Sequence, residues 1–327
     1  MKVLITGAAG FLGSRLARQL LRDGSVGGSA IDELVLFDIE LPKHPIEDDR
    51  VRYVQGDISD PDTSAALIDK DTTTVFHLAA VVSGQAEQDF DLGMRINLDT
   101  TRTLLEQCRE MGHRPRFIFT SSAAVFGGEL PEQVRDSTAV QPQGSYGIAK
   151  AIGELLIADY SRRGYLDGRV LRLPTICVRP GKPNAAASSF FSGIIREPLA
   201  GVRAALPVGR DTRTILLSPS KAIDGIIGMA NLPADALGAW PVVNLPGLSV
   251  TVGEMIDALR QVAGTDVAGL IDELPNQEIR ALVATWPGAW DNSRALSLGL
   301  LGDENIADII RAHMADTEAE GAAPHEG

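Results

Sequence analysis

Cysteine is scarce: the 327 residues hold two, Cys108 and Cys177. They stand in segments that read as a helix and a strand, with no Cys-x-x-Cys or Cys/His spacing. Neither a disulfide framework nor a metal site is expected. Two buried thiols in a reducing compartment fit the count. Basic residues are outnumbered, 30 Lys and Arg against 43 Asp and Glu, for a formal net charge of -13. A chain this acidic gains nothing from nucleic-acid phosphates or anionic lipid, so no nucleic acid and no membrane is expected as a partner. A local basic pocket for a small anion stays possible. Long apolar runs are missing as well, and none approaches the roughly 20 residues a membrane helix requires. Met1–Thr6 is too short for a signal-peptide core and leads straight into glycines. These absences point to a soluble, cytoplasmic protein.

What is present is ordinary globular chemistry, 44% hydrophobic and 22% charged, with chain enough for a large core. Short apolar runs at Lys2–Thr6, Leu34–Phe37, Val51–Gln55, Thr74–Leu78, Phe117–Thr120 and Arg169–Leu173 read as six strands. Helical spacing lies between them at Phe11–Arg22, Thr63–Ile68, Met94–Met111 and Tyr146–Arg163. Strand and helix alternating in this way predict an α/β fold, a doubly wound parallel sheet of the Rossmann type. From Pro174 to Pro219 the texture changes to prolines and glycines around one helical stretch, Ser188–Leu199. Helices near Ser220–Ala230, Val252–Val262 and Asn305–His313 and a strand near Val242–Leu245 follow. The expected organisation is a dinucleotide domain over 1–174 and a smaller C-terminal substrate lobe over 175–316, with some strand and helix returning to the sheet. A disordered tail is expected over 317–327.

Gly7, Gly10 and Gly13 follow the first strand and open the first helix. There the chain must turn sharply, let a pyrophosphate approach its backbone and pack helix on strand. Free N–H groups and the positive end of the helix then meet the phosphates. Asp38 ends the second strand, where a carboxylate accepts hydrogen bonds from ribose hydroxyls and repels a 2′-phosphate, favouring NAD over NADP. Asp57 follows the third strand and either faces the adenine or caps the next turn.

Tyr146 and Lys150, four apart on a predicted helix, share one face. A free phenol has a pKa of about 10 and is a poor base at neutral pH; a neighbouring ammonium, helped by an oxidised nicotinamide, lowers it. Ser122 follows the fifth strand, at the sheet edge where such folds place ligands.

These motifs, together with His77-Leu-Ala-Ala80, Asn97 and Thr120-Ser-Ser-Ala-Ala-Val-Phe-Gly127, resemble the extended short-chain dehydrogenase/reductases, also called the NAD-dependent epimerase/dehydratase family. The resemblance is strong over residues 1–180. It implies that Gly7, Gly10, Phe11, Leu12 and Gly13 form the pyrophosphate loop, that Asp57 and Ile58 meet the adenine, and that Leu78, Ala79 and Ala80 pass under a ribose. It implies further that Asn97 stands near the active site, that Pro174 and Thr175 meet the nicotinamide amide, and that Ser122, Tyr146 and Lys150 are catalytic. Phe126 departs from the pattern, since many members carry tyrosine there. Within the family, residues 171–200 are similar to the D-erythronate dehydrogenase branch. That likeness implies oxidation of the C2 hydroxyl of a small sugar acid to the 2-keto acid.

A sugar-acid carboxylate needs a cationic partner, and Arg179 and Arg213 are the candidates in the variable segments after the sheet. Ser83 is a candidate contact for a substrate hydroxyl. His77, inside a strand, reads as a core residue. Two other readings compete. A nucleotide-sugar epimerase or dehydratase would use Lys182, Arg196, Arg203, Arg210 or Arg213 on a diphosphate. A non-catalytic NAD-binding regulator would have no need of Ser122, Tyr146 and Lys150 together. A homodimer is expected, since helices around the fourth and fifth strands commonly pair across a two-fold axis in similar proteins.

Overall fold

The computed structural model describes residues 1–181 and 188–322. Seven strands form one sheet: β1 (Lys2–Thr6), β2 (Glu33–Asp38), β3 (Val51–Gln55), β4 (Thr72–His77), β5 (Arg116–Ser122), β6 (Asp167–Leu173) and β7 (Val242–Asn244). Their order is β7-β6-β5-β4-β1-β2-β3, and every neighbouring pair is parallel. The predicted doubly wound α/β sheet is therefore present. Its strands are near-continuous apolar runs because both faces are covered. On one face Val3, Ile5, Leu34 and Ile118 pack with Leu16 and Leu20 of the Phe11–Asp23 helix and Ile223 and Ile226 of the Pro219–Asn231 helix. On the other, Leu4, Phe117 and Phe119 pack with Leu104 and Leu105 of the Thr100–Met111 helix and Ile157 of the Ser145–Arg162 helix.

The chain runs outward from β1 in one direction through β2 and β3, and in the other through β4 to β7. Loops after β1 and β4 therefore part and leave a crevice at the carboxyl ends of the strands, the place where this topology binds ligands.

A second core, around Phe191, Ile194, Leu216, Met255, Ile256 and Ile309, lies outside that sheet. It includes a small sheet in which Arg213–Leu217 pairs in parallel with Thr175–Ile176 and antiparallel with Leu248–Thr251. Ala204–Leu206 pairs with Ile271–Glu273. These strands were not foreseen, because runs of two to five residues show no period. The Pro219–Asn231 helix and β7 return to the main sheet. The tail departs from expectation: the last helix, Ile306–Ala322, runs past residue 317. Its own Ile309 and Ile310 are buried, and Asp316 forms an ion pair with Arg15 at 2.8 Å. Residues 323–327 lie outside the described residues.

The helix expected over Met94–Met111 is also different. A short helix, Phe90–Met94, passes through one π-helical turn, Arg95–Asp99, into Thr100–Met111. Widened turns of this kind are frequent at functional sites.

Candidate active site

The glycine loop is built for close approach. Gly7 has φ +73°, the left-handed region, and a Cβ there would lie 2.7 Å from the Ala79 backbone nitrogen. A Cβ on Gly13 would lie 2.0 Å from the Gly7 carbonyl oxygen. The Phe11–Asp23 helix begins at Gly10, with no side-chain cap and no acidic residue in its first turn. Its leading N–H groups and positive end thus face the crevice uncompensated, which suits a pyrophosphate. Asp38 stands beside this loop: one carboxylate oxygen accepts from the Ala9 N–H at 2.8 Å, the other from the Ile39 N–H. Residues 7–13 and Asp38 would hold a dinucleotide, the loop its phosphates and the carboxylate its ribose. We expect Gly13→Ala to displace the loop, costing about 1–3 kcal/mol of packing strain, and to weaken NAD binding. Calorimetric titration checks this; an affinity equal to the parent's would show that the loop does not carry the phosphates.

Across the crevice, β5 ends at Ser122 and the following turn, Ala123–Val125, meets the start of the Ser145–Arg162 helix. Gly147 permits the contact, since a Cβ there would lie 2.1 Å from the Ala124 carbonyl oxygen. This close packing brings Tyr146 beside Ser122, whose hydroxyl favours the ionised phenol. Ser122 also accepts from the Ala124 N–H at 3.2 Å. One helical turn on, Lys150 is buried, and its ammonium donates to the Thr120 carbonyl at 2.9 Å.

The electrostatics differ in one respect from the sequence expectation. Burial pushes the Tyr146 phenol above its ordinary value; the Arg179 guanidinium, and then the Ser122 hydrogen bond, pull it back. Arg179 is the cation that lowers the phenol; Lys150 donates to the Thr120 carbonyl, with its nitrogen 5.7 Å from the centre of the Tyr146 ring. Burial pushes the Lys150 amine down to about 7, against the opposing charge of Glu154.

A cavity of about 360 Å³ opens beside these groups, lined among others by Ser83, Ser122, Tyr146, Pro174, Thr175, Arg179 and Arg213. These seven residues come from five separate stretches of chain. Arg179 is half-buried, and among the described residues it forms no ion pair with a carboxylate. Its backbone is held firmly, the N–H donating to the Ser192 hydroxyl and the carbonyl accepting from Arg196. Arg213 is exposed, and one guanidinium nitrogen lies 3.4 Å from the Ser249 hydroxyl. Ser83 begins a short helix, Ser83–Gln88. The other cations weighed for a diphosphate are engaged: Arg196 pairs with Glu197, Arg203 with Asp272 and Arg210 with Glu273. Lys182 lies outside the described residues.

The remaining expected site residues lie outside the cavity wall. Asn97 is buried and faces the loop after β4, its amide bonded both ways to the Val81 backbone at 2.9 and 3.1 Å. It shapes that loop from behind and does not line the cavity. One Asp57 carboxylate oxygen caps the next turn, accepting from the Ser59 N–H and hydroxyl. Ile58 is buried in the sheet core. Leu78 and Ala79 follow β4 directly, and the Leu78 N–H donates to the Thr6 carbonyl, which keeps this stretch, with Ala80 next in chain, beside the glycine turn. His77 is a core residue, as expected: its two ring nitrogens meet the Thr6 and Thr101 hydroxyls, and burial pushes its pKa down to about 3. Phe126 is buried under the Arg172 guanidinium.

Sequence reasoning missed Glu87, which lines the cavity and accepts from the Ser145 N–H at the start of the Tyr146 helix. The missing cap at Gly144 was the only available signal. It also missed Leu282, Thr285 and Trp286, which close the cavity from the far end of the chain.

Fold and site together define a dinucleotide-binding α/β protein with a Ser–Tyr–Lys centre beside an arginine-bearing cavity. Residues 3–214 match the model of the NAD dependent epimerase/dehydratase family. The chain belongs to that family, and NAD is its cofactor. A D-erythronate dehydrogenase from Cupriavidus necator is 58% identical over 97% of this chain and 98% of its own. One from Haemophilus influenzae is 49% identical over 95% and 98%. Among solved structures, a nucleoside-diphosphate-sugar epimerase from Agrobacterium tumefaciens superposes with a TM-score of 0.93 at 44% identity, covering 98% of this chain and 95% of that one. An L-threonine dehydrogenase from Clostridium difficile, at 22% identity with a TM-score of 0.86 and covering 98% of both chains, shares the fold. No helix among the described residues is long and apolar enough to cross a membrane.

Proposed function

We propose that this protein is an NAD-dependent dehydrogenase of small sugar acids, oxidising the C2 hydroxyl of a D-erythronate-like substrate to the 2-keto acid. One observation carries the reading: Tyr146 and Arg179 meet in a single cavity, and no carboxylate among the described residues pairs with the arginine. A half-buried guanidinium is best satisfied by a bidentate carboxylate. C2 is the carbon next to that carboxylate, so gripping the acid at Arg179 presents the C2 hydroxyl to Tyr146. The two relatives named D-erythronate dehydrogenase, matched along nearly their whole length, support the same substrate class.

In this mechanism Tyr146, as phenolate, takes the C2 hydroxyl proton while Ser122 holds the same oxygen. When bound, NAD accepts the hydride from C2. Burial opposes ionisation of the phenol and prevails, and Arg179 reduces its effect. Lys150 keeps its ammonium on the inner side of the Tyr146 ring and would hold the nicotinamide ribose hydroxyls. Ser83 stands where a further substrate hydroxyl can be met, and Arg213 stands at the exposed rim. Pro174 and Thr175, just past β6, would meet the nicotinamide amide. A homodimer in the cytoplasm, divided internally after residue 174, completes the reading.

The Agrobacterium structure named as an epimerase favours a second reading, turnover of a nucleotide sugar. The ion pairs of Arg196, Arg203 and Arg210 weigh against it, because they leave few free cations for a diphosphate. D-erythronate deuterated at C2 tests the regiochemistry. The label is expected on the reduced nicotinamide, with a primary isotope effect on kcat; label kept in the oxidised product would place the chemistry at another carbon.

A further inference from the structure

Behind the centre lies a buried ion pair with no part in the steps above. Tyr146, Lys150 and Glu154 recur at four-residue spacing along one helix and therefore share a face. Glu154 and Arg172 are each 2% exposed. One Glu154 oxygen accepts from the Ser121 hydroxyl at 2.5 Å and from Arg172 Nε at 2.9 Å; the other accepts from a terminal nitrogen of Arg172 at 2.7 Å. Arg172 continues to the Asp136 carbonyl at 3.2 Å and covers the Phe126 ring, itself part of the cavity wall. Ser121 precedes Ser122 on β5, and Arg172 stands two residues before Pro174 on β6. A single carboxylate thus ties together the helix of Tyr146 and Lys150 and both strand ends that border the cavity.

We infer that Glu154, seated on Arg172, is a positioning residue that fixes Tyr146 against Ser122 and keeps Lys150 an ammonium. The inference rests on the reading of Tyr146 as the base. Stability alone does not account for the pair, since a buried ion pair is seldom more stabilising than well-packed apolar residues of the same volume. The surroundings of Lys150 are otherwise short of negative charge. From β5 it meets the Thr120 carbonyl and the Phe119 ring. From β4 it faces His77, which burial keeps neutral. On its own helix stand Tyr146 and Glu154; Arg172 lies behind Glu154 on β6, and Arg179 lies beyond Tyr146. Removing the Glu154 charge leaves the Arg172 cation uncompensated in this space, so Lys150 gives up its proton at lower pH.

Glu154→Gln tests this in the full chain with NAD and D-erythronate. We expect kcat to fall about tenfold or more and the alkaline limb of its pH profile to move down by about one unit or more. The double variant Glu154→Leu/Arg172→Leu removes the pair together and guards against a fold left with one buried charge. It is expected to melt near the parent temperature while its alkaline limb stays displaced downward. A parent limb and rate in either variant would overturn the inference. Tyr146→Phe in parallel separates the two claims: an inactive Tyr146→Phe beside an unaltered Glu154→Gln defeats this inference alone, whereas an active Tyr146→Phe defeats the reading beneath it.

Discussion

Tyr146→Phe is expected to lose about 10²- to 10⁴-fold in kcat, the range for removal of a positioned acid/base, while binding NAD as the parent does. The substitution removes one oxygen and leaves the ring, so the contact between the helix start and the Ala123–Val125 turn survives. What disappears is the proton acceptor beside Ser122. Water in the cavity is a poor substitute, because it is neither oriented nor helped to ionise by Arg179. Steady-state kinetics with fluorescence titration of NAD separates the effects: kcat falls and the cofactor's dissociation constant does not move. Turnover at the parent rate would remove Tyr146 from the chemistry.

Arg179→Met carries the second large effect. Removing one partner of a desolvated charge pair costs about 2–5 kcal/mol, or about 30-fold to several thousand-fold in kcat/KM for the acid. Most of the loss is expected in KM, because the guanidinium holds the carboxylate in ground and transition state alike. A smaller loss in kcat follows from its field on the phenol. The fold is expected to persist, since the backbone of residue 179 is anchored through Ser192 and Arg196 independently of its side chain. Arg213→Met is the control: its exposed charge is screened, and a loss of less than about tenfold is expected. If Arg213→Met loses more than Arg179→Met, the carboxylate sits at the rim and the assignment reverses.

The site was unevenly legible. The sheet could be read because doubly buried strands are unbroken apolar runs, and the glycine loop because only residues without a Cβ fit where Gly7 and Gly13 stand. Tyr146 and Lys150 could be paired from helical spacing. The same spacing reaches Glu154, but nothing local announces that Arg172, on a later strand, is its partner. Arg179 and Arg213 were equal candidates until their surroundings were known, for whether a side chain is half-buried or exposed depends on the second core. Glu87 caps a helix 58 residues away, and Trp286 closes the cavity from farther still, so both are consequences of tertiary packing. The effect of Lys150 on Tyr146 was expected from proximity in sequence; its direction toward the Thr120 carbonyl is set by β5.

The most direct test of the central claim is the absorbance of reduced nicotinamide when D-erythronate and NAD are added to the purified protein. The account predicts steady NADH formation, one equivalent for each equivalent of keto acid, abolished in Tyr146→Phe. Absence of net reduction with D-erythronate and other four- and five-carbon aldonates, together with turnover of a nucleotide sugar on retained cofactor, would contradict it.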